Sequence, residues 1–220
     1  MADRPTPTSF ALLGLLALRP WSAYELNQQM QRSLRLFWPR SAAHVYAEAK
    51  KLDRLGYARA ATTANGQRER TTYSITAAGR KALRGWLGTD PAEPLVEIEA
   101  LVRILHADQG DRGQLRSTIA VTRTQMLERY EAGVTQVRGY LADGGPFPER
   151  LHLIALLTSF YVEFAELVFD TCDRVDAALD DWPSTAEVGL TGDARAQLEA
   201  ALATIEARLS TAARLGEPPS

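Results

Sequence analysis

Along the first third of this 220-residue chain the apolar positions recur at helical spacing in three short runs, then give way to two strand-like runs and a fourth helix. Phe10, Leu12, Leu13, Leu15, Leu16 and Leu18 crowd the stretch Thr8 to Arg19, which predicts a short helix buried round most of its circumference and ended with help from Pro20. Ser22 with Glu25 three residues on has the form of a capping box, in which hydroxyl and carboxylate each satisfy an otherwise orphaned amide, so a second helix starts there with Leu26 and Met30 inward. Ser41 caps a third helix that runs to about Leu55, where Gly56 supplies the left-handed residue that ends it. Val45, Ala49 and Leu52 share the inner face of that helix, which turns Arg40, Ala43, Ala47, Lys50 and Arg54 outward.

Tyr57 to Thr63 and Arg68 to Ile75 bracket Ala64-Asn65-Gly66-Gln67, and Asn-Gly is the strongest short-range hairpin signal. Thr76 caps a fourth helix carrying Ala82, Leu83, Trp86 and Leu87. Helix, helix, helix, hairpin, helix is the order of a winged helix-turn-helix. Pro91 and Pro94 mark a boundary, beyond which only helices are expected: Leu95 to Ala107, Arg112 to Leu141, Glu149 to Leu179 and Asp193 to Arg214. Leu115, Ile119, Met126, Tyr130, Val134, Val137 and Leu141 form one long stripe on the second of these, broken by Gly144-Gly145-Pro146. The third is apolar nearly all round, and such a helix must be covered on all sides, most simply by a second copy of the chain. The last carries Leu198, Leu202, Ile205 and Leu209 in near-heptad order and is expected to supply part of that cover. The fold class is mainly α: a winged helix-turn-helix amino-terminal domain, residues 1–90, and an all-helical carboxy-terminal dimerisation domain, residues 91–220.

Charge sharpens this division. Met1 to Gly88 holds 14 Lys or Arg against 5 Asp or Glu, a net of +9, whereas Thr89 to Ser220 holds 11 against 22, a net of -11. Only the first part suits a polyanion, because each cation set on a phosphate releases condensed counterions. Small residues interleaved with cations let the third helix enter a groove while its charges reach flanking phosphates, although an ordinary solvated basic face has the same composition. Arg68 and Arg70 make the hairpin a cationic wing. No uninterrupted apolar run approaches the roughly 18 residues of a spanning helix, and Met1 to Thr8 has no export-signal pattern, so a cytoplasmic location is expected.

Leu12-Leu13-Gly14-Leu15-Leu16, Ala23-Tyr24-Glu25-Leu26, Tyr46, Leu52, Gly56 and Arg70-x-x-Tyr73-x-Ile75-Thr76-x-x-Gly79 together resemble the PadR family of bacterial transcriptional regulators over roughly the first 88 residues. The acidic remainder looks like the variable dimerisation domain of longer members. The resemblance implies a homodimer on an imperfect palindrome of double-stranded DNA, usually a repressor, with a small molecule sometimes releasing it. It implies a third helix in the major groove, and places Tyr24 and Tyr46 at positions that face the DNA backbone, a core or interface role for either staying open. Where the family has Gly-Ser before the recognition-helix tyrosine and Pro and Leu after it, this chain has Ala43-His44 and Ala47 with Ala49. The candidate DNA-contacting set is Tyr24; Arg40, Ser41, Ala43, His44, Tyr46, Ala47, Lys50, Lys51 and Arg54; and Asn65, Gln67, Arg68 and Arg70.

Other chemistry finds little footing. His44, His106 and His152 are far apart and lack zinc-site spacing, and no phosphate loop, nucleophile elbow or catalytic pair stands out, so neither an enzyme, a metal nor a cofactor is expected. Asp170, Asp173, Asp176, Asp180 and Asp181 read as a solvated helical face, and Cys172 as an inert buried thiol. Phe160, Tyr161, Phe164, Phe169 and Trp182 could instead line a cavity for a small hydrophobic effector, making the helical domain a sensor. A winged adaptor that binds protein rather than DNA is the third reading, which the charge division disfavours.

Overall fold

The computed structural model describes residues 4–35, 37–65, 68–186 and 188–215, without the side chains of Ala64, Asn65, Arg68, Glu69 and Leu215. Two compact units, Met1–Leu95 and Val96–Ser220, divide the chain.

In the first unit the order is α1 Pro7–Leu16, β1 Trp21–Ser22, α2 Ala23–Ser33, α3 Ala42–Arg54, β2 Ala58–Asn65, β3 Arg68–Ile75 and α4 Ala77–Leu87. The expected winged helix-turn-helix order is present, with one addition. Trp21 and Ser22 pair antiparallel with Tyr73 and Thr72, so the hairpin is extended to a three-stranded sheet in the order β1-β3-β2. β3 has the expected bounds, whereas β2 starts one residue later, at Ala58, and runs two residues further, through Ala64 and Asn65, its register closing on Asn65↔Arg68.

Each helix start in this unit has a chemical cause. Ser22 and Glu25 form the expected capping box on α2, Ser41 and Thr76 cap α3 and α4, and Gly56 ends α3 at φ 71°. Thr6 and Ser9 form a further box on α1 that the sequence pattern did not announce. Gly79 is required by packing, since a Cβ there would stand 2.1 Å from the Tyr57 carbonyl oxygen. Leu12, Leu13 and Leu16 of α1, Leu26 and Met30 of α2, and Val45, Ala49 and Leu52 of α3 make the core. Glu48 is buried beside them; its carboxylate accepts bonds from Ser9 and Thr6 and pairs with Lys51 Nζ at 2.9 Å. Burial pushes that carboxyl up, but the hydrogen bonds from Ser9, Lys51 and Thr6 outweigh it and hold it below the ordinary carboxylate range.

The second unit is helical: α5 Glu99–Leu105, a 3-10 turn Ala107–Gln109, α6 Arg112–Asp143, a 3-10 turn Pro148–Arg150, α7 Leu151–Asp181 and α8 Gly192–Leu215. The first helix begins four residues later than expected, at Glu99, with Ile98 in extended conformation before it. No side chain caps the helix at Ile98, so apolar spacing alone does not carry it back to Leu95. Asp111 and Gln114 box the start of α6, and Gly144 ends it at φ 78°.

Three expectations for this unit are corrected. The stripe on α6 is buried only at Leu115, Ile119 and Met126, and Val134 and Leu141 stand in the open. The aspartates of α7 do more than face water: Arg123 of α6 bonds Asp173 at 2.6 Å and Asp176 at 2.8 Å, and Arg116 pairs with Asp180. The count of uninterrupted apolar residues also understates α7, because Pro148–Asp181 contains an 18-residue window of mean hydropathy 1.6, long and apolar enough to cross a membrane. Its ion pairs to α6, and the 2.6 Å bond from the Tyr130 hydroxyl to Glu166, are those of a helix laid on protein. Cys172 sits buried in the α6–α7 core with Leu115, Ile119 and Leu179, where burial pushes its thiol up and away from reactivity.

The two faces of α3 predict opposite responses. Leu52→Ala is expected to cost about 2–5 kcal/mol in urea unfolding of the first unit, followed through Trp21, Trp38 and Trp86. Ala47→Ser on the open face is expected to stay within about 0.5 kcal/mol of the parent; equal losses at the two positions would contradict this packing.

Candidate nucleic-acid interface

Because Val45, Ala49 and Leu52 are fully buried, the rotation of α3 about its axis is set, and Ala43, His44, Ala47, Lys50 and Arg54 are left exposed on the opposite side. Ser41 Oγ accepts the His44 amide at 3.3 Å, so the first turn of α3 is capped by a neutral group and carries no acidic residue. Such a face combines two methyl groups with imidazole, ammonium and guanidinium donors, a set able to lie against base edges and phosphates together.

Several expected residues are placed otherwise. Arg40 precedes the Ser41 cap rather than riding on α3; it stacks over Trp38 at 4.4 Å, and its Nε donates to Thr8 Oγ1 at 3.2 Å. With His44 it borders a shallow groove of about 450 Å³ that Thr6, Pro7, Thr8 and Trp38 complete. Lys51 turns inward onto Glu48 with its side chain 12% exposed, and Tyr46 is half-buried. Tyr24 is 61% exposed on α2, its hydroxyl accepting from Gln28 Nε2 at 2.8 Å. On the hairpin, Arg70 reaches α2, its Nη2 donating to Glu25 Oε2 at 2.8 Å. Gln67 lies outside the described residues, as do the side chains of Asn65 and Arg68.

Glu25 was legible only as a cap. Its carboxylate accepts the Ser22 amide at 2.8 Å and the Ser22 hydroxyl at 2.7 Å, faces Arg19 at 3.7 Å, and receives Arg70 from β3. The backbone and hydroxyl bonds of Ser22, with Arg70 added, hold its carboxyl down at about 2. Arg19 in turn lies over the Trp21 ring at 3.5 Å. A partner 45 residues away leaves no mark in local spacing, so only the fold exposes this link.

The five aromatics expected to line a cavity fall in three separate places. Phe160 neighbours Tyr161 and Phe164 with ring centroids 6.4 Å apart, Phe169 packs on Tyr130 at 5.5 Å, and Trp182 joins the core around Leu179. Phe160 and Trp182 lie about 33 Å apart along the helix by its rise per residue. Among the described residues no cluster of His, Cys, Asp and Glu could hold a metal ion.

A capped helix pair, an antiparallel hairpin beside it and an outward face of small and cationic residues define a winged helix-turn-helix domain of the DNA-binding type. Residues 12–85 match the transcriptional regulator PadR-like family. A stretch of 79 residues is 33% identical to the negative transcriptional regulator PadR of Bacillus subtilis (strain 168); it covers 36% of this chain and 43% of that protein, under half the relative's length. Among solved structures, smu.1604c from Streptococcus mutans UA159 superposes with a TM-score of 0.65 at 20% identity, covering 74% of this chain and 96% of that one. Bacillus subtilis PadR in complex with operator DNA gives 0.60 at 18% identity, covering 76% and 98%. The same Bacillus protein in complex with p-coumaric acid gives 0.53 at 16% identity, covering 79% and 99%. At these identities the structural matches show a shared fold, and the sequence similarity to the PadR-like family is confined to residues 12–85 of the amino-terminal unit.

The Glu25 carboxyl makes a pH prediction. Its folded value of about 2 lies below the ordinary 4.5, so its stabilisation is complete above about pH 4.5 and is lost as pH falls towards 2. Glu25→Gln is expected to be less stable than the parent at neutral pH and to converge on it in acid. A margin between the two that stays constant from pH 7 to pH 2.5 would contradict the assignment.

Proposed function

We propose that this chain is a sequence-specific transcriptional regulator that binds duplex DNA as a homodimer, lays α3 of each copy in the major groove of one half-site of a palindrome, and represses by occupying the operator. The observation that carries the reading is the open face Ala43-His44-Ala47-Lys50-Arg54 on a PadR-like winged domain. The sense of repression rests on the curated relative, itself a negative regulator. A cytoplasmic location and the lack of catalysis go with this role. Arg54 and Lys50 serve the phosphates, Ala43 and Ala47 let the helix sit close, and Arg70 works from the wing.

The helical unit supports the dimer. Leu156, Leu157, Phe160 and Leu167 of α7 are exposed, and α8 shows Leu198, Leu202, Ile205 and Leu209 in a row, each more than half open to solvent. Patches of this kind on a single chain mark an interface, and a two-fold axis covers both copies with the same residues. The two-fold also pairs the two α3 helices at a spacing of about one turn of duplex, roughly 34 Å. A small effector is the second reading: Phe160, Tyr161 and Phe164 stand on this run of α7, and p-coumaric acid, the compound bound in the Bacillus relative, is the first to try by thermal shift on the whole chain.

Two measurements test the reading. In anisotropy titrations with duplexes from upstream of its own coding region, Lys50→Glu with Arg54→Glu is expected to weaken binding by about tenfold or more, and the parent's affinity to fall steeply with salt. Unchanged affinity in that variant would move the role to protein binding. In sedimentation the chain is expected to run at twice its own mass, and Leu202→Glu with Leu156→Glu to run as a monomer; a parent that is monomeric at micromolar concentration would refute the dimer.

A further inference from the structure

In the amino-terminal unit Arg70 is tied between a strand and a helix. Its guanidinium crosses from β3 to the first turn of α2, where Glu25 Oε2 already accepts the Ser22 amide and hydroxyl. One carboxylate oxygen thus joins the capping of α2 to the strand that leads into the wing. Arg70 nevertheless remains 61% exposed, against 26% for Glu25, and the bond to Glu25 engages Nη2 alone, which leaves Nε and Nη1 of the fork for a further acceptor.

From this geometry we infer that Glu25 is a positioning residue for DNA binding: it aims Arg70 at a backbone phosphate lying beside the N-terminus of α2. The inference rests on the DNA-binding reading above and adds a residue of the wrong charge to it. A carboxylate next to a phosphate would ordinarily repel it. Here Arg19 and Arg70 both face Glu25, so the trio carries a net positive charge; Oε2 is taken by Ser22 and Arg70, and Oε1 faces Arg19. The positive end of α2 adds to the attraction. Tyr24, the one aromatic of α2, stands one residue away with its hydroxyl already bonded to Gln28, and is placed to flank the same phosphate. Removing the carboxylate frees Arg70 to wander and leaves it facing Arg19 with nothing between them.

The test is a double-variant cycle on the full chain, read as the salt dependence of duplex binding, with parent, Glu25→Gln, Arg70→Ala and the pair. Gln keeps a capping residue at that position, and circular dichroism at the assay temperature verifies that the variant is folded. Loss of one phosphate contact lowers the slope of log affinity against log salt by about 0.9, a change that mere loss of stability does not produce. Both single variants are expected to lose up to that slope and several-fold affinity, and the pair to lose no more than Arg70→Ala alone. A Glu25→Gln protein with parental slope and affinity, one that binds more tightly, or losses that add across the cycle would overturn the inference while leaving DNA binding intact. A parent with no salt-sensitive binding would instead sink the DNA reading itself. Should Glu25→Gln fail to fold, Arg70→Lys decides: it keeps the charge without the fork, several-fold weaker binding is expected, and parental affinity would overturn the assignment.

Discussion

The burial of one face of α3 is the constraint from which the amino-terminal unit follows. Val45, Ala49 and Leu52 are withdrawn from solvent against α1, α2 and β2, and at spacings of four and three they leave the helix no freedom to roll. Glu48 reinforces this from the same side, anchored to the start of α1 by Ser9 and Thr6, because turning the helix would strand a buried carboxylate. What is displayed outward is therefore decided by what is hidden: two alanines, a histidine and two long cations. The chemistry of recognition is the residue of a packing problem.

The charge difference between the halves is real, but the fold distributes it unevenly. Lys51 serves the core, Arg40 is stacked on Trp38, and Arg70 is shared with Glu25, so the net of +9 overstates the number of cations free to approach a phosphate. In the helical unit the arrangement is the reverse. Arg116 and Arg123 spend themselves on the aspartates of α7, which joins α6 to α7 by polar contacts beside their shared apolar core, while Leu156, Leu157, Phe160 and Leu167 of α7 stay exposed.

Much of this was legible because it is local. Ser22 with Glu25, Ser41 and Gly56 each act within a few residues, and the inner face of α3 shows its period directly. The missed features have long-range or weak local causes. A two-residue strand such as Trp21–Ser22 has no period to read, and its pairing depends on Tyr73 and Thr72 fifty residues on. The Thr6–Ser9 box lacks the Glu or Gln that usually marks one. The aromatics of α7 have compatible composition for a pocket but positions spread along one helix, a distance that a list of residue types conceals. Arg40 and Lys51 fell in the right segment, and only the tertiary partners Trp38, Thr8 and Glu48 reveal where they point.

The central claim is that the open face of α3 enters the major groove. It is tested most directly by tethering an iron chelate to Ala47→Cys, since the native Cys172 is buried and stays unlabelled, and mapping the cuts on a bound duplex. The account predicts cleavage centred on the major groove of each half-site, at two places about one helical turn apart. Cleavage scattered evenly along the duplex, or none from a protein that still binds, would contradict it.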